Sequence, residues 1–140
     1  MIPVEHRYTL EVVAQKIFHG KLDKGLGDAT DWGIEDIRRA TGRPNLHKGT
    51  LNICVGDQYR EYKLRVDHRL DRTDRSDERD EDLCFERCWL IIAERRIPAV
   101  IAQTSRNHHG QNGVFEIMAE WVDGLNPGDA VDVEIRVEPE

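Results

Sequence analysis

The chain predicts a small, mostly β-stranded barrel with one short helix, and three features carry that prediction. From Gly49 onward, short apolar runs with period-two alternation recur, turn residues separate them, and a single earlier segment shows helical periodicity. The regular strand–helix alternation of a parallel sheet is missing, and no internal repeat suggests a solenoid or propeller. A length of 140 residues is one domain's worth, so residues 1–140 read as a single domain.

Taken in order, Tyr8 to Phe18 mixes Tyr8, Leu10, Val12, Val13, Ile17 and Phe18 with charged residues and suits strand and helix equally. Gly20 to Ala29 contains Gly20, Gly25 and Gly27, too glycine-rich for the interior of a regular element, and reads as a loop or turn. Asp31 is placed to cap a helix in which Ile34, Ile37 and Ala40 share one face. Glu35, Asp36, Arg38 and Arg39 point outward, and Gly42 with Pro44 ends the run. Thr50 to Val55 and Tyr62 to Val66 then read as the strands of a hairpin around Gly56-Asp57.

Residues 67–82 hold eight acids, four arginines and one aliphatic, Leu70, which is the composition of a charged, solvated surface loop. Strands resume at Leu83 to Ala93 and at Ile97 to Ala102, with a turn expected around Arg95-Arg96 and Pro98 marking an edge or a strand start. A polar loop from Ser105 to Gly113 leads to a strand over Val114 to Ala119 and a turn through Gly124 to Asp129. Val131, Val133, Ile135 and Val137 then alternate with Asp132, Glu134, Arg136 and Glu138, the clearest half-buried strand of the chain.

Composition excludes several functions. No window approaches the roughly 18 consecutive apolar residues of a membrane helix, so no membrane partner is expected. The N-terminal residues show neither a secretory nor an import pattern, and a cytoplasmic location is expected. A net charge of −7 opposes general nucleic-acid binding, so any phosphate-bearing partner should be small. Cys54, Cys84 and Cys88 are an odd count that reads as buried thiols; Cys84 and Cys88 resemble half a zinc site with no second pair to complete it.

Two segments are candidates for chemistry. Gly25-Leu26-Gly27, flanked by Lys21 and Lys24, could bring backbone N–H groups close to phosphate oxygens, although an ordinary turn has the same composition. In Lys48-Gly49-Thr50-Leu51-Asn52, a strand start places Thr50 and Asn52 on one face, where their oxygens suit a hard cation, or simply form a polar face.

The run from Gly20 to Asp28, a short helix, and then Lys48-Gly49-Thr50-Leu51-Asn52-Ile53 together resemble the archaeal CTP-dependent riboflavin kinases. Thr104, Val114-Phe115-Glu116-Ile117-Met118-Ala119 and Leu125-Asn126-Pro127-Gly128-Asp129-Ala130-Val131 match that family's closing segments in the same order. The resemblance implies a six- to seven-stranded cradle-loop barrel that moves the γ-phosphoryl of CTP onto the 5′-hydroxyl of riboflavin, giving FMN and CDP. It places nucleotide phosphates on Lys24, Gly25, Leu26, Gly27 and Asp28, Mg²⁺ on Thr50 and Asn52, and the flavin on Thr104 and Glu116. Glu116 is also the candidate for the catalytic proton acceptor, or else only a hydrogen-bond partner of the flavin.

The chain departs from that family at Ala29-Thr30-Asp31-Trp32, where an aromatic and basic stretch is expected, and around His108-His109, which lie in extra sequence. It departs again at Glu120-Trp121-Val122-Asp123-Gly124, which replace a basic segment that contacts the nucleotide. The alternatives are a non-catalytic nucleotide- or flavin-binding protein, or an interaction module on the same barrel.

Overall fold

The structure, a computed structural model, describes residues 14–27, 33–71, 82–104 and 113–137. Asp31 as helix cap, the acidic stretch 72–81, Asp28, the 29–32 departure and His108-His109 lie outside the described residues. The elements are β1 (Ala14–Phe18), β2 (Lys21–Gly27), α1 (Ile34–Thr41), β3 (Thr50–Cys54), a 3-10 turn (Gly56–Glu61), β4 (His68–Leu70), β5 (Leu83–Ile92), β6 (Arg95–Thr104), β7 (Val114–Ala119) and β8 (Asp132–Val137). As expected, the fold is mostly β with one short helix among the described residues.

All strand pairs are antiparallel, in the order β1-β8-β5-β6-β7-β3-β2, with β4 added to β5. The two ends of that order, β1 and β2, are separated in sequence only by His19 and Gly20. The sheet therefore curls until its ends meet in one chain segment, which makes a small barrel. At the seam, the Val131 N–H donates to Gly20 O (3.0 Å), the Leu22 N–H to Asp129 O (2.9 Å) and the Gly128 N–H to Leu22 O (2.8 Å). Taking β1–β2 as one stave leaves an even number around the ring, which antiparallel closure requires.

Period-two alternation decides what faces inward. Leu22, Ile53, Leu90, Ile101, Ile117 and Val133 fill the interior, while Leu83, Phe85, Val100 and Met118 form a second cluster on the outer face beneath α1. The helix seats Ile37 fully buried, with Ile34 and Ala40 partly covered, as its periodicity predicts. Asp36, expected to point outward, is buried and paired with Arg39. Gly42 ends α1 at φ 69°, with the Arg43 N–H donating to Arg38 O, the glycine-dependent stop expected here. The Arg38 guanidinium then donates to Leu46 O (2.7 and 3.1 Å), tying the helix to the segment that enters β3.

One end of the barrel is plugged. The 3-10 turn carries Tyr59 and leads into Tyr62, and both rings pack on Phe115 (centroids 4.9 and 4.8 Å). The other end, where β3 begins and β7 finishes, is the mouth.

Several elements differ from the expectations, each because a long-range pairing overrides local sequence. The glycine-rich run is strand over Lys21–Gly27, held by β3. No hairpin joins 50–55 to 62–66, because β3 has β2 on one side and β7 on the other. The β5–β6 turn falls at Ala93-Glu94 with both residues at positive φ, before Arg95-Arg96. Pro98 lies inside β6, one position beyond the β7 ladder that begins at Ala99, so the missing N–H disturbs no pairing on that side. Leu70 is buried and β4 pairs with β5, so the charged segment 67–82 starts as an anchored strand.

Candidate functional site

The register of β2 against β3 brings the two candidate segments together. Lys21 and Leu22 pair with Cys54 and Ile53, whereas Leu26 and Gly27 pair with Leu51 and Thr50, so Asp23, Lys24 and Gly25 lie together opposite Asn52. This is a β-bulge, a device that takes backbone N–H groups out of the ladder and is over-represented beside functional sites. It is also why a glycine-rich run survives as strand: the extra residues are absorbed where no regular pairing is required. On the other side of β3, Asn52 is in register with Glu116 of β7.

Thr50 and Asn52 share a face, as the sequence predicts, with Thr50 Oγ1 and Asn52 Oδ1 3.5 Å apart. Two adjacent oxygens in an octahedral magnesium shell stand about 2.9 Å apart, given Mg–O distances near 2.0–2.1 Å. The pair would have to close by about 0.6 Å to serve as two neighbouring magnesium ligands, with water and phosphate as the others. No cluster of three or more His, Cys, Asp or Glu side chains suited to a metal occurs among the described residues. Zinc at Cys84 and Cys88 gains no partner there, and Cys88 is wholly buried, which pushes its thiol well above the usual range. Thr104, the other flavin candidate, closes β6 opposite Leu83, at the plugged end of the barrel.

Next to Thr50, the mouth holds a cleft of about 310 Å³ between two segments remote in sequence, His47–Leu51 and Ala119–Leu125. The His47 N–H donates to Ala119 O (2.8 Å), which fixes the two walls to each other. On the rim, the rings of His47 and Trp121 stand 4.8 Å apart at 60°, and Trp121 Nε1–H donates to Asp123 Oδ1 (2.6 Å). Lys48 and Glu120 bring opposite charges to the same walls. Sequence reasoning singled out both segments separately, as a cation site and as a departure from a family pattern. Their facing each other depends on the β3–β7 pairing, which no local signal announces.

Glu86 was missed altogether. It occupies an inward position of β5, where its carboxylate accepts hydrogen bonds from the Tyr62 hydroxyl (2.8 Å) and the Arg65 N–H (2.9 Å). Burial pushes its carboxyl above the ordinary value, and burial together with the Glu86 charge pushes the Tyr62 hydroxyl up as well. At Asp67 burial also raises the carboxyl, but the Arg87 N–H and the Arg65 guanidinium outweigh it and hold Asp67 below its usual range. These contacts lock the segment after the 3-10 turn over the plugged end.

No helix among the described residues is long and apolar enough to cross a membrane. No family model matches the chain, and no curated protein matches it significantly.

Proposed function

We propose that this protein is a riboflavin kinase that uses CTP and Mg²⁺ in the cytoplasm, converting riboflavin and CTP to FMN and CDP. The observation that carries the reading is the convergence at Asn52. The glycine bulge flanks it on one side and Glu116 on the other, and the mouth cleft begins at the neighbouring Thr50. Phosphoryl transfer asks chiefly for alignment of donor and acceptor and for neutralisation of charge, and this arrangement offers a place for each.

In this reading the nucleotide base occupies the mouth cleft, and its phosphates run along the bulge, where backbone N–H groups of Lys24 and Gly25, outside the regular β2–β3 register, bind them. Thr50 and Asn52 hold the magnesium ion, which when bound neutralises charge on the transferring phosphoryl group. Glu116 accepts a hydrogen bond from the 5′-hydroxyl of riboflavin and so points that oxygen at the γ-phosphorus. The flavin extends from there toward Thr104. That direction separates donor from acceptor along the barrel: Thr50 to Cys54, the length of β3, is a rise of about 13 Å.

A second reading, a ligand-binding barrel without turnover, is favoured by the acids Glu120 and Asp123 on a rim expected to be basic. One experiment separates the two. Riboflavin and Mg²⁺ are incubated with the protein and CTP, ATP, GTP or UTP in turn, and FMN is sought by chromatography. FMN formed with CTP and lost in Asn52→Ala supports the kinase. Ligand binding without FMN under any of the four nucleotides leaves the binding protein.

A further inference from the structure

We infer that Trp121 is the seat of the donor's base, which stacks on the exposed indole face while Glu120 accepts a hydrogen bond from the base's exocyclic amine. This rests on the kinase reading only for the identity of the ligand, since the observations concern the rim itself. Trp121 is 57% exposed, the most exposed of the large hydrophobic side chains among the described residues, yet it is not loose. Asp123 holds its indole N–H and His47 lies against it, so the ring is fixed before any ligand arrives. With its one polar atom already engaged, the indole has only its π face to offer a ligand. That face borders a cleft large enough for a base and its sugar.

The neighbouring charges select among planar rings. Glu120 lines the cleft beside Trp121, and a carboxylate there accepts from an amine and repels a carbonyl oxygen. Cytosine and adenine carry such an amine; uracil presents a carbonyl at the corresponding edge. Stacking on Trp121 thus replaces the charge contact that a basic rim would make, and Lys48 on the facing wall supplies positive charge toward the phosphate side.

The test uses the full-length chain and its Trp121→Phe, Trp121→Ala and Glu120→Gln variants, titrated with CTP and with UTP in the presence of Mg²⁺. Binding is read by tryptophan fluorescence for the parent and by calorimetry for all, and the KM for CTP is measured wherever FMN is formed. CTP should quench the parent's fluorescence. Trp121→Ala should weaken CTP binding about tenfold or more, Trp121→Phe should stay within about threefold of the parent, and Glu120→Gln should narrow the preference for CTP over UTP. Where turnover exists, Trp121→Ala should raise the KM for CTP and leave kcat nearly unchanged. Equal CTP affinity in Trp121→Ala and the parent overturns the inference and leaves the kinase reading standing if FMN still forms. Failure of the parent to bind CTP overturns it too. Trp121-dependent CTP binding without FMN removes the kinase reading and keeps the seat.

Discussion

Gly20→Ala tests the closure of the barrel. Gly20 joins β1 to β2 at the seam, its N–H donating to Asp132 Oδ1 (3.3 Å) and its carbonyl accepting from Val131. A methyl group at that position would stand 2.6 Å from Ile53 Cγ2 and 3.0 Å from the carbonyl oxygens of both Cys54 and Val131. Ile53 is completely buried and the other two atoms belong to the backbone on either side of the seam, so none can retreat cheaply. Gly20 is not among the positive-φ residues, so crowding alone sets the cost. Overpacking of this kind costs about 1–3 kcal/mol. For a chain of this length the unfolding entropy is about 0.3 kcal/mol per kelvin, so Tm should fall by about 3–10 °C. Thermal unfolding followed by circular dichroism reads the shift directly. A Tm within about 1 °C of the parent would refute the close approach of β2, β3 and the segment before β8, and with it the closed seam.

Three further outcomes follow from the same structure. Because burial lifts Glu86 above its ordinary 4.5, its contribution to stability is complete below that pH and is lost as pH rises through the folded-state value. Glu86→Gln cannot ionise, so in urea unfolding its stability relative to the parent should improve from acid to neutral pH; a constant difference would contradict the buried carboxyl. Glu94→Gly should stabilise the β5–β6 turn by about 1 kcal/mol, since Ala93 and Glu94 hold φ of 46° and 68° where glycine is preferred, and a lower Tm would argue against that turn. Leu70→Ala should destabilise by about 2–4 kcal/mol in urea unfolding because Leu70 is buried against α1 and β5, whereas a solvated-loop position would give almost nothing.

The fold was legible wherever local pattern and tertiary role agree. Val131, Val133 and Ile135 alternate into the interior, and Gly42 stops α1 as glycine should. Asn52 and Thr50 could be placed on one face because a strand's period fixes it. What stayed hidden depends on partners far away in sequence. Leu26 and Gly27 look like loop until Leu51 and Thr50 supply a ladder, and Tyr62 looks like a strand residue until Glu86 and Phe115 claim its side chain for the plug. Ala93-Glu94 lacks the Asn or Gly that would have announced the turn. The cleft was invisible for the same reason: His47 and Trp121 face each other only after β3 and β7 pair.

The measurement closest to the central claim is FMN formation by the purified protein with riboflavin, Mg²⁺ and CTP, run beside Asn52→Ala with both proteins matched for Tm. Asn52 is partly exposed and its side chain bonds only Thr50 among the interactions described, so the variant should fold normally and yield no FMN while the parent turns over. FMN at equal rates from both would contradict the placement of phosphoryl transfer at the bulge, and its absence from the parent with every nucleotide would contradict the kinase itself.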